Sequence, residues 1–162
     1  MNYDRAMTDR AQLEGLLAAD VRALSAESEQ IGRTFAGQHD LSAGDFRALV
    51  HVLVADDFGA PLTAGDLRKR MGLSGGAITY LVERMIASGH LRRESDPDDR
   101  RKVILRYDEH GMAVARDFFT PLAEHTHAAL VDLPEEDLAA AHRVFTALIG
   151  AMRAFQAGLE AR

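Results

Sequence analysis

At 162 residues the chain is long enough for one domain with a sizeable core. Hydrophobic content of 47% beside 27% charged residues is ordinary for a globular protein; no apolar run approaches a membrane span and no signal-peptide pattern opens the chain, so a cytoplasmic protein is expected. The lack of cysteine excludes disulfides, thiolate metal sites and thiol redox switches, while a net charge of −6 argues at first sight against a nucleic-acid partner.

The first predicted element is a long helix from Thr8 or Asp9 to about Phe35. In it Leu17, Val21, Leu24, Ser28, Ile31 and Phe35 recur at 4-3-4-3-4 spacing, and Gly37 with His39-Asp40 ends it. Ser42 can cap a second helix, whose apolar stripe is Phe46, Leu49, Val50 and Leu53 and which ends near Asp56 to Gly59. Pro61 separates the second helix from the third. Thr63 can cap that short third helix with Asp66 three positions on, and Met71-Gly72 closes it, glycine being free to take the left-handed conformation. Ser74 caps the next helix, which buries Ile78, Leu81, Val82 and Met85 and stops at Ser88-Gly89. His90 to Ser95 and Lys102 to Tyr107 read as strands. Between them Asp96 to Arg101 forms a turn with proline at its second position. Another long helix runs from Asp108 to about Val131, and Pro121 inside it is expected to kink or break it. Leu133-Pro134-Glu135-Glu136 starts a last helix, where Leu138, Ala141, Phe145, Leu148, Met152, Phe155 and Leu159 keep 3-4-3-4-3-4 spacing. So regular a seam requires a partner helix.

Stepping about 100° per residue from Ser74 puts Gly76, Thr79, Tyr80 and Glu83 opposite the buried stripe. That face is small or hydrogen-bonding, which suits a helix lying in a DNA major groove, and Gly75 and Gly76 let backbone amides approach a phosphate. Taken alone, the helix favours an ordinary capped surface helix. The hairpin after it shifts the balance, because two short helices followed by a charged hairpin is the winged helix-turn-helix plan. Arg100 and Arg101 at its tip suit the minor groove, and Asp99 can hold Arg101 in position. Charge distribution agrees: residues 61–107 carry a net +4 and the remainder −10, a basic middle between acidic ends.

The stretch from Leu73 to Gly111 resembles the signature region of the MarR (multiple-antibiotic-resistance regulator) transcription factors. Asp99-Arg100-Arg101 matches that family's D-x-R wing tip, and Val103, Leu105 and Gly111 fall in step with it. Tyr107-Asp108 stands where Leu-Thr is usual, and aspartate can cap the next helix as threonine would. The resemblance implies a mainly α fold with a small β-wing: a winged helix-turn-helix region (42–107) flanked by long dimerisation helices (8–37 and 108–160), all in one domain over 1–162. It implies a homodimer on a pseudo-palindromic double-stranded DNA operator, most often a repressor released by a small ligand. The expected DNA-binding residues are Ser74, Gly75, Gly76, Thr79, Tyr80, Arg84 (to the phosphate backbone), Asp99, Arg100 and Arg101.

His39 and His51 flank the second helix near where that family forms a ligand cleft, and with Arg47 they could take an anionic aromatic effector. The plainer reading of these histidines is as ordinary, partly exposed side chains. His125 and His127 are two apart and cannot chelate one metal from a helix, so no metal is expected, although a metal-responsive member of the family stays as an alternative. No cofactor is expected. An enzymatic site is not read either: Gly75-Gly76 lacks the lysine of a P-loop, no G-x-S-x-G elbow is read, H-E-x-x-H does not occur, and the carboxylate pairs Asp98-Asp99 and Glu135-Glu136 fall in solvent-facing contexts. A winged helix used only for protein–protein contacts is the remaining alternative, set against the cluster Arg68, Lys69, Arg70, Arg84, Arg100, Arg101 and Lys102.

Overall fold

The computed structural model describes the backbone of residues 2–160 and the side chains of residues 9–159; the ends of the expected 1–162 domain lie outside them. Six helices and one hairpin follow in the order α1 (Asn2–Gln38), α2 (Ala43–Asp57), α3 (Ala64–Met71), α4 (Gly75–Ala87), β1 (Leu91–Ser95), β2 (Val103–Tyr107), α5 (Glu109–Leu130) and α6 (Glu135–Glu160). The chain divides into two compact units, one up to Asp117 and the other from Phe118, with the boundary inside α5. The fold is mainly α with a two-stranded antiparallel wing, as expected.

Local chemistry explains the starts and stops in the first unit. Ser42 and Thr63 each cap a helix through a full capping box, in which the hydroxyl accepts the amide three residues on and Asp45 or Asp66 accepts the cap's own amide. Gly72 ends α3 at φ 64°, a conformation that costs glycine little. Ser74 caps α4 by accepting the Ala77 amide at 3.3 Å. β1 pairs β2 in the register Leu91 with Tyr107 through Ser95 with Val103. A third backbone segment borders the wing: Thr63 bridges Ile104, and Leu105 donates to the Leu62 carbonyl at 2.7 Å.

The core of this unit joins Phe35 and Ala36 of α1, one face of α2, Leu67, the four α4 residues Ile78, Leu81, Val82 and Met85, and Leu91, Ile104 and Leu105 of the wing. Several expectations change. α1 continues through Gly37 to Gln38 and is closed by Asp40 at φ 54°, because a single helical glycine costs only about 1 kcal/mol. α2 buries Asp45, Ala48, Leu49, Val52 and Ala55, whereas Val50 and Leu53 of the expected stripe stay 38% exposed. The small alanines form the close-packing face, which a count of large apolar residues overlooks. α5 runs unbroken through Pro121. In the second unit the α6 seam is largely exposed, from Leu138 at 37% to Phe155 at 71%. In α1, Leu17 and Leu24 are exposed likewise. None of the helices among the described residues is long and apolar enough to cross a membrane.

Candidate nucleic-acid interface

α4 presents Ser74, Gly75, Gly76, Thr79, Tyr80 and Glu83 to solvent, opposite its buried stripe. Tyr80 is the large group on that face, 68% exposed. The Thr79 hydroxyl donates to the Gly75 carbonyl at 2.9 Å, which commits its proton but leaves its oxygen free to accept. A Cβ on Gly75 or Gly76 would meet open space, so nothing within the chain requires glycine there. Glu83 is paired across to Arg93 of β1 at 2.7 Å, and that guanidinium holds its carboxyl below the usual range.

The wing tip is held by its own carboxylates. Asp96 accepts the amides of Asp98 and Asp99 at 2.8 and 3.3 Å, which folds the turn, and Lys102 donates back to the Asp99 carbonyl at 2.8 Å. Asp99 Oδ1 accepts both the Arg101 amide and its Nε at 3.1 Å. The Arg101 side chain is nonetheless 92% exposed, so it is oriented without being covered. Its guanidinium lowers the Asp99 carboxyl below the usual range.

Arg84, expected to serve the phosphate backbone, already has a partner. One Nη2 proton goes to the Oδ1 of buried Asp45 on α2, and the guanidinium lies 5.3 Å from the Tyr80 ring centroid. Asp45 itself is 2% exposed. Burial raises its carboxyl, but the Ser42 amide and hydroxyl and the Arg84 charge outweigh that and keep it low. On the wing, Arg106 donates to Asp56 near the end of α2 at 2.6 Å. These two ion pairs were missed in the sequence, although Ser42 followed by Asp45 is a readable capping signature.

The three effector candidates separate. His51 lies within α2 and does not flank it; it is half-buried there, and burial together with Arg70 and Arg47 pushes its ring below its ordinary value. His39 instead meets Phe35 with the rings tilted and their centroids 4.7 Å apart, and like His110 it acts electrostatically on His90. Among the described residues no group of three or more His, Asp or Glu side chains is arranged to hold a metal. Contrary to the expectation of no such pattern, Gly72-Leu73-Ser74-Gly75-Gly76 does spell G-x-S-x-G. A nucleophile elbow needs a strand-to-helix turn, and here Ser74 joins two helices with its oxygen engaged in capping.

With this geometry in hand, likeness to known proteins becomes specific. Residues 39–102, from the α1–α2 junction to the end of the wing tip, match the MarR family. Over this segment the chain is similar to MarR-family regulators. A Bacillus subtilis protein described as an uncharacterized HTH-type transcriptional regulator is 41% identical over 78 residues, covering 48% of this chain. The matched stretch spans about half (51%) of that relative's own length. Among solved structures, a MarR family protein from Bacillus stearothermophilus is 26% identical with a TM-score of 0.58, over 88% of this chain and 94% of that one. A mutant MepR from a multidrug-resistant S. aureus clinical isolate shares the fold at a TM-score of 0.64 and 18% identity, over 81% and 93%. MepR has also been crystallised with DNA and with ethidium bromide.

Proposed function

We propose that this chain is a MarR-type regulator that controls transcription as a homodimer on a pseudo-palindromic DNA operator, and that it represses until a small ligand releases it. The observation that carries the reading is the wing tip: a fully solvated arginine, pre-aimed by Asp99, in the same basic segment as a helix face bare enough to enter a groove. In this reading residues 42–107 read DNA, with Tyr80, Thr79 and Ser74 at the major groove, Gly75 and Gly76 near phosphate, and Arg100 and Arg101 at the minor groove. Residues 8–37 and 108–160 pair two copies, whose exposed apolar stripes on α1 and α6 are covered by the second chain. MepR, which has this fold, supports both a DNA and a small-molecule partner. An anionic ligand would sit beside Arg47 and His51, where Arg70 adds a second positive charge.

Binding to a fragment of the chain's own upstream DNA, titrated at several salt concentrations, tests the reading. A selective complex with a steep salt slope is expected. Arg101→Ala is expected to weaken that complex by about 1–3 kcal/mol at fixed salt. Unchanged affinity in the variant removes the wing from the mechanism.

A further inference from the structure

Asp45 and Asp56 lie eleven positions apart on α2, so they return to within about 20° of the same face and stand about 16 Å apart along the axis. Each receives one arginine, and the two arginines come from the two DNA-reading elements. Asp45 is buried; its Oδ2 accepts the Ser42 amide and hydroxyl, both at 2.8 Å, and its Oδ1 accepts Arg84 of α4. Arg84 in turn lies over Tyr80, on the outward face of that helix. Asp56 accepts Arg106 at 2.6 Å, with both side chains mostly covered at 22% and 27% exposed. Arg106 sits on β2, five positions beyond Arg101. It is paired across the ladder with Arg92, whose guanidinium donates to the Tyr107 carbonyl.

We propose that α2 is the frame of the DNA-reading unit, with Asp45 and Asp56 as positioning residues that hold the recognition helix and the wing at a fixed separation. The inference rests on the DNA-binding reading above. Apolar packing beneath α4 leaves that helix some freedom to rotate about its stripe, whereas a charge-assisted bond to a fully buried carboxylate fixes the rotation at Arg84 and so the place of Tyr80. The same logic at Asp56 fixes the angle of the wing, whose two short strands resist twisting poorly on their own. Neither aspartate reaches DNA, so both act on selectivity through another residue.

The test uses the full-length protein and the near-isosteric variants Asp45→Asn and Asp56→Asn, with thermal unfolding to establish that each is folded. In Asp45→Asn the amide oxygen can still accept at the Ser42 cap, which leaves the amide NH2 facing Arg84, so both the acceptor and the charge that hold the guanidinium are lost. Each variant is expected to lose about tenfold in operator affinity while its binding to random DNA stays nearly unchanged. Footprints should divide: Asp45→Asn weakens protection in the major groove, and Asp56→Asn weakens it in the minor groove under the wing. Arg106→Lys, which keeps the charge opposite Asp56, should retain most of the minor-groove protection. Where Asp45→Asn does not fold, the Asp56→Asn footprint decides alone. A selective wild type with unchanged selectivity in the folded variants overturns this inference only. A wild type that prefers no DNA overturns the DNA reading and this inference with it.

Discussion

His90 shows how much chemistry one residue concentrates. It is 5% exposed, its Nδ1 lies 2.9 Å from the Ser88 hydroxyl, and its Nε2 has no hydrogen-bond partner among the described residues. The ring meets His110 edge-on at 5.7 Å. Burial pushes its pKa below the ordinary 6.5; His110 and His39 push it further, and Asp45 and the Ser88 backbone pull back less strongly. The native state therefore holds this ring neutral. As pH falls below about 6.5 the unfolded chain takes up a proton that the native chain resists, so stability is complete above that pH and declines below it. Urea unfolding between pH 7 and pH 5 should show this loss, at no more than about 1.4 kcal/mol per pH unit from one histidine. His90→Gln should flatten the slope but not abolish it, because half-buried His51 is shifted in the same direction. An unaltered slope would assign the acid sensitivity to other groups.

At the scale of elements, the start of α5 is seated on the backbone that enters β1. The Gly111 amide donates to the Gly89 carbonyl at 3.0 Å, and Asp108 donates to the His90 carbonyl at 3.0 Å. A Cβ on Gly111 would lie 2.5 Å from the His90 carbonyl oxygen and 2.7 Å from its Cα, distances no side chain tolerates. The Gly111 noted in the family resemblance is thus a site of close backbone approach. Gly111→Ala has to lift α5 off the wing's base and is expected to cost about 1–3 kcal/mol, the range for overpacking, measured as a lower denaturation midpoint. A variant as stable as the wild type would show that this junction yields easily.

At the scale of the whole molecule, the exposed apolar side chains demand an explanation. Phe155, Met152 and Leu159 of α6 are 71%, 57% and 48% exposed, and Leu13, Leu16 and Leu24 of α1 are 55–60% exposed. An open apolar groove of about 750 Å³ adds to this within the second unit, lined by Phe119, Leu122, Leu130, Val131, Leu133 and Leu138 among others. Surfaces of this kind on a monomer mark association. If a second copy covers the α6 seam, Phe145→Glu with Phe155→Glu should convert the protein to a monomer in sedimentation analysis. Operator binding should then fall by about a hundredfold or more, since two linked reading units gain from effective concentration. A variant that still sediments as a dimer would place the interface elsewhere.

What was legible in the sequence is what operates over a few residues. The caps at Ser42, Thr63 and Ser74, the left-handed Gly72, the buried stripe of α4 and the Asp99–Arg101 tip each depend on side chain and backbone within one turn of each other, so spacing alone reveals them. Tertiary structure alone decided the rest. Asp45 meets Arg84 across 39 positions and Asp56 meets Arg106 across 50, and nothing local to any of the four announces its partner. The buried face of α2 is chosen by what packs on it, which favours Ala48, Val52 and Ala55 over Val50 and Leu53. Thr63 and Leu62 join the wing, and His90 loses its water, for the same reason: these contacts exist only once distant segments are brought together.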